Sequence, residues 1–279
     1  MKAALVVVGV LILGLGSLWL NPFSNVQSPS QSPVKTEIPK AQTILTPPLA
    51  SPQQIKTSDK KQYFLYGAPD GQNQRLRKKI IFSLPGHGSK AEDDYKAWQP
   101  QLMANGNYSL ASLNWWDGQG ERKENYYSPV EVLREINYFL DTQGYKEGDV
   151  VILEGFSRGS ANTYAVVAND RSSSKKVIDG VISASGQYQS DFAMTPNLLD
   201  QNNGKPFAGI PWVLACGEKD QNPLRDGCLG MRETESFLKD KGANVLALLS
   251  DPNGPHGSFH QSPLKLAQKA LSLFDNYFK

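Results

Sequence analysis

Ser157 stands in Gly155-Phe156-Ser157-Arg158-Gly159, a G-x-S-x-G arrangement. A serine hydroxyl is a poor nucleophile and must project from a tight turn toward a base before it can attack a carbonyl. Residues 150–153, Val-Val-Ile-Leu, form an apolar run ahead of the turn, and residues 160–168 are small and helix-compatible. Strand, sharp turn and helix are the setting in which such a serine becomes reactive. The flanking glycines fit because they remove β-carbons from a crowded crossing. A plain strand-to-helix turn is the alternative reading. Three histidines, His87, His256 and His260, are available as bases, and Asp191, Asp220 and Asp226 as acids to orient one.

These groups need a scaffold, and 279 residues suit one large α/β domain. Opposed totals of 29 basic and 27 acidic side chains leave a formal charge of +2, which gives no reason to expect a nucleic-acid partner. The chain opens with Lys2 and an apolar run over residues 3–20. As a helix this run would be about 27 Å long, close to the hydrocarbon thickness of a bilayer. No clean A-x-A cleavage pattern follows it, and Trp19 sits where an interfacial aromatic would. Residues 1–22 are read as an uncleaved signal-anchor, with a cleaved signal peptide as the alternative; both place the rest outside the cytoplasm. Residues 23–60 are rich in Pro, Ser, Gln and Thr, too poor in large apolar groups to build a core, and are expected to be an extended, disordered linker.

From residue 61 to 279 strand-like and helix-like segments alternate, predicting a mostly parallel sheet with helices on both faces. Strands are expected at 79–84, 108–113, 150–153, 177–184, 210–216 and 244–249. Helices are expected at 92–105, 130–140, after Ser157, and at 263–277. Residues 186–209 show little periodicity and leave a small cap or a long surface loop open.

With this order of strands, the turn at Ser157 and the loop Pro85-Gly86-His87-Gly88-Ser89, the chain resembles the α/β-hydrolase superfamily, nearest the small esterases and lipase-like members without a large lid. The resemblance covers residues from about 63 to 279. It implies the order nucleophile, acid, histidine, which removes His87 as the base. His256 lies in a Gly/Pro-rich loop after the last strand, at the carboxyl edge where ligands bind in open α/β sheets; it is taken as the base, with His260 as the alternative. Asp220, in Gly217-Glu218-Lys219-Asp220 after a strand, is taken as the acid, ahead of Asp226 and Asp191. An oxyanion site needs backbone N–H donors. Arg158 supplies one, and either Ser89 or His87 the other, with Ser89 slightly preferred.

Trp115 and Trp116, with Tyr126 and Tyr127, bracket a polar stretch leaving a strand at that edge. They line a substrate pocket in one reading and pack as core or rim in the other. Cys216 and Cys228 are the only cysteines; they form a disulfide in one reading, and in the other Cys216 is a buried core thiol at a strand end. No cluster has metal-ligand spacing and no turn suggests a nucleotide, so neither metal nor cofactor is expected. The expected activity is a serine hydrolase of small-molecule carboxylic esters, working through an acyl-enzyme. A serine peptidase or amidase with the same triad, and a catalytically dead binding module, are the alternatives.

Overall fold

The computed structural model describes residues 51–67, 79–189 and 191–279. Eight strands form one sheet: β1 Gln53–Lys56, β2 Tyr63–Gly67, β3 Lys79–Leu84, β4 Ser109–Asn114, β5 Val150–Phe156, β6 Gly180–Ala184, β7 Pro211–Gly217 and β8 Asn244–Asp251. Their spatial order is β1-β2-β4-β3-β5-β6-β7-β8. The pairs from β4 to β8 are parallel, whereas β1 and β2 pair antiparallel at one edge. The mostly parallel sheet predicted above is present. Its first strand, β1, lies inside the stretch 23–60 assigned to the linker. Four residues register against β2 there, and that pairing supplies the order their polar composition does not.

Side chains alternate across the strands and so divide the core in two. Phe82, Leu153 and Trp212 pack toward α2 (Pro129–Gln143), α3 (Arg158–Ser172) and α5 (Cys228–Asp240). Ile81, Ile152 and Val213 pack toward α1 (Ala91–Asn105), α6 (Ser258–Gln261) and α7 (Leu266–Tyr277). Helix α2 begins where the sequence says it should. Ser128 Oγ accepts from Glu131 N–H at 3.3 Å, Glu131 returns the bond to Ser128 N–H at 2.8 Å, and Pro129 follows at the first helical position.

Among the described residues of 186–209 there is no cap domain. They carry one short helix, α4 (Pro196–Gly204), whose backbone leaves helical values at Gln201, Asn202 and Asn203. Buried Phe192 and Phe207 hold this segment down on the core. The last helical region is split rather than continuous, because Ser262 and Pro263 separate α6 from α7. Among the described residues no helix is long and apolar enough to cross a membrane. The predicted anchor at 1–22 and the linker up to residue 50 lie outside the described residues.

Candidate active site

Ser157 occupies the turn between β5 and α3 at φ 53°, ψ −115°. A left-handed φ is costly for a residue with a β-carbon and persists only where packing over-determines it. Here it does. A β-carbon on Gly155 would lie 2.4 Å from Gly159, and one on Gly159 would lie 1.9 Å from the Leu84 carbonyl oxygen. The two glycines of the motif are therefore fixed by contact between β5, the start of α3 and the end of β3. Ser157 N–H also donates to Ala184 O at 2.8 Å, tying the turn to the end of β6.

Asp220 follows β7 and His256 follows β8, as their loops predicted. His256 Nδ1 and Asp220 Oδ2 share a hydrogen bond of 2.7 Å, and the second oxygen of Asp220 accepts from Asn222 N–H at 2.8 Å. The Asp220 side chain is 1% exposed and that of His256 35%, so the acid is sheltered while the imidazole reaches solvent. Nδ1 is engaged, which leaves Nε2 as the nitrogen for proton exchange. Ser185 Oγ donates to His256 O at 3.1 Å, so the His256 loop and the Ser157 turn are held by adjacent residues, Ser185 and Ala184. Among the described residues Ser157 Oγ makes no hydrogen bond to His256. The Asp220–His256 contact is closed and the Ser157–His256 contact is open; in serine hydrolases such a link commonly tightens only with substrate bound.

The other candidate acids and the other candidate base have different partners. Asp226 is buried beside Asp220, but both its oxygens accept from Arg225, at 2.6 to 3.0 Å. Asp191 pairs with the Arg158 guanidinium at 2.5 Å. His260 is enclosed by Trp98, Phe156 and Phe259, and burial pushes its imidazole down to about 3. It belongs to a second group with Asp94 and Glu154 and is not bonded to Asp220.

The loop after β3 corrects one expectation. Ser89 N–H donates to Gly86 O at 3.2 Å, so the turn itself uses the donor that was preferred for the oxyanion. Among the described residues nothing accepts from His87 N–H, and a β-carbon on the preceding Gly86 would lie 3.2 Å from Ser157 Cβ. Arg158 N–H, the first of α3, has no acceptor within its helix. His87 and Arg158 are thus the two available donors beside the serine.

A cavity of 150 Å³ opens at Ser157, walled by His87, Glu121, Arg158, Asp191, Arg225 and Asp226. Neither Trp115 nor Trp116 is among its walls. Trp115 is 1% exposed, packs on Tyr126 and Phe192, and donates from Nε1 to Pro85 O at 3.0 Å. It braces the loop after β3 from within. Trp116 stacks on Tyr126, and the Tyr126 hydroxyl shares a 2.6 Å hydrogen bond with His87 Nδ1. Cys216 and Cys228 form a disulfide with their Cα atoms 5.1 Å apart, enclosing Asp220 and Asp226 in the loop between them. Sequence reasoning missed Arg225 and the Asp94–Glu154–His260 group. The one visible sign of the latter was Glu154, an acid inside an otherwise apolar strand.

The sequence matches no protein-family model and no curated protein. Solved structures do match. TT1662 of Thermus thermophilus aligns with a TM-score of 0.59 at 14% identity, over 82% of this chain and 98% of its own. The esterase Pf2001 of Pyrococcus furiosus aligns at 0.54 and 18% identity, over 82% and 92%. A phospholipase/carboxylesterase of Dyadobacter fermentans aligns at 0.52 and 15%, over 81% and 99%. The fold of this chain is the α/β-hydrolase fold.

Proposed function

We propose that the protein is a serine hydrolase of small carboxylic esters. The observation that carries this reading is the 2.7 Å bond between His256 and Asp220 at the same sheet edge as the strained Ser157 turn. Ser157 Oγ attacks the ester carbonyl while His256 Nε2 takes its proton. The backbone N–H groups of Arg158 and His87 receive the developing oxyanion. Collapse of the tetrahedral intermediate breaks the ester C–O bond, and His256 returns the proton to the leaving alcohol. His256 then deprotonates a water that attacks the acyl-enzyme, releasing the acid and restoring Ser157. Asp220 keeps the imidazole in the tautomer with Nε2 free and offsets the charge it acquires.

The cavity supports short or polar acyl groups. It is small beside a typical ligand pocket of roughly 300–1,000 Å³, and its walls carry two arginines and three carboxylates rather than an apolar groove. A fluorophosphonate probe tests the nucleophile: labelling of the wild type and none of Ser157→Ala supports the reading, and an unlabelled folded wild type overturns it. Across p-nitrophenyl esters, acetate and butyrate should turn over fastest; a preference for long chains would reverse the substrate assignment. The esterase named among the structural neighbours agrees with this chemistry.

The domain is read as exported, held at the membrane by residues 3–20. The Cys216–Cys228 disulfide supports an oxidising compartment. Cell fractionation tests this. Recovery in the cytosol would refute export, and release with the amino terminus trimmed would make residues 1–22 a signal peptide.

A further inference from the structure

Three neighbouring strands carry a polar row across the face of the sheet beneath α1 and α6. Ser83 on β3 registers against Glu154 on β5 and against Ser112 on β4. Their neighbours two residues back, Ile81, Ile152 and Leu110, belong to the apolar core of that face. Strand alternation therefore buries these polar groups where apolar ones would pack. Asp94 of α1 and His260 of α6 complete the group from above. One ligand atom from each of Asp94, Glu154 and His260 lies within 4.8 Å of the others.

Hydrogen bonds satisfy this group only in part. Ser83 Oγ and Trp98 Nε1 (3.3 Å) both donate to Glu154 Oε2, and Ser112 Oγ donates to Asp94 Oδ2 at 2.7 Å. Glu154 is fully buried, yet its Oε1 has no partner, and neither has His260 Nε2. Among the described residues no lysine or arginine pairs with either carboxylate. Two buried acids and an imidazole with unused lone pairs are costly to leave unpaired and form a donor set suited to a metal.

We infer that Asp94, Glu154 and His260 form a binding site for a divalent transition ion of the Zn2+ type, separate from the catalytic residues. Carboxylate oxygens and imidazole nitrogen bind Zn2+ at about 2.0–2.2 Å, which places ligand atoms about 3.4 Å apart around a tetrahedral ion. Closing from 4.8 Å requires a shift of about an ångström, within reach of rotation of the side chains. A cavity of 200 Å³ is lined by two of the three ligands, Asp94 and His260, together with Pro85, Gly86, Ser89 and Phe156, and offers an ion a path to them. Ser83, Ser112 and Trp98 are the supporting donors that hold the carboxylates in place.

The placement gives the ion a role. Asp94 sits in the helix after the oxyanion loop, Glu154 lies three residues before Ser157, and His260 four residues after His256. One ion would clamp the oxyanion loop, the nucleophile strand and the base loop to one another, as a structural element and not as a reactant.

The test uses chelator-stripped protein titrated with Zn2+ alone, read by bound-metal stoichiometry after dialysis and by thermal unfolding. One equivalent should be retained, and Tm should rise by about 5–10 °C at a free concentration near a hundred times Kd. Glu154→Gln and His260→Gln should each weaken binding by about 100-fold or more and abolish the Tm shift, while His256→Ala should retain both. Wild-type protein that retains no Zn2+ and shows no shift overturns the inference. So does binding that survives Glu154→Gln and is lost in His256→Ala, since the ion would then sit among Asp220, Asp226 and His256. If Glu154→Gln fails to fold, the wild-type titration and His260→Gln still decide.

Discussion

Two acid–imidazole groups flank the nucleophile turn, built from the same residue types and differing in solvent and spacing. In the first, Asp220 touches His256 at 2.7 Å and the imidazole is about a third exposed. In the second, Asp94 and Glu154 are buried, His260 is half-buried, and no carboxylate–imidazole bond is made. Burial raises Asp94 to about 6 and pushes Glu154 well above the ordinary carboxylate range, helped by the neighbouring Asp94 charge. Burial also holds His260 neutral, near 3. A direct bond with one nitrogen left toward solvent is the arrangement a proton relay requires. The same groups without that bond are a set of unsatisfied ligands. Chemistry here is assigned by geometry and dielectric, not by residue type.

The comparison breaks first at the triad. Ser157→Ala and His256→Ala should each lower kcat by about 10⁵-fold or more, and the double variant should be little worse than either, because the residues act as a unit. Additive losses in steady-state kinetics would show that they do not. Next comes the choice of acid. Asp220→Asn should cost about 10⁴-fold in kcat with the fold intact, whereas Asp226→Asn, whose partner is Arg225, should cost far less. The reverse ranking would move the acid role to Asp226.

Removing the disulfide with Cys216→Ser and Cys228→Ser together should destabilise the domain by about 3 kcal/mol in urea unfolding, from loop closure alone. An unchanged midpoint would mean that the loop around Asp220 needs no cross-link. Trp115→Phe deletes the bond to Pro85 O and should cost about 1 kcal/mol, with a fall in kcat larger than any change in KM, since the oxyanion loop is what loosens. A pure KM effect would return this ring to the substrate pocket.

The smallest effect is a slope. With chelator present, the buried Glu154 carboxyl keeps its proton at pH values where the unfolded chain has released it. The folded state then binds more protons, so this residue makes stability fall as pH rises from its ordinary value of 4.5 upward. Glu154→Gln removes that contribution, and its Tm relative to wild type should climb between pH 5 and 8 as measured by thermal unfolding. A difference that stays flat would mean Glu154 is ionised when folded, and the two groups would be less unlike than their burial indicates.

The Ser157 turn was legible in the sequence because its demands are local: an apolar strand, two glycines at the crossing and a small-residue helix start. The positions of Asp220 and His256 were legible because each follows a recognisable strand by a short loop, and the superfamily order then ranks them. Contacts between distant segments decided the rest. Ser89 lost its donor to a turn, which left His87. Trp115 turned inward because Phe192 and Tyr126 wait there, and β1 became ordered by pairing with β2 despite its polar composition. Asp94, Glu154 and His260 share no spacing in the sequence. Only the register of β3, β4 and β5, with α1 and α6 laid across them, brings their unsatisfied atoms together, since strand alternation fixes a side chain's face and the tertiary fold fixes what meets it.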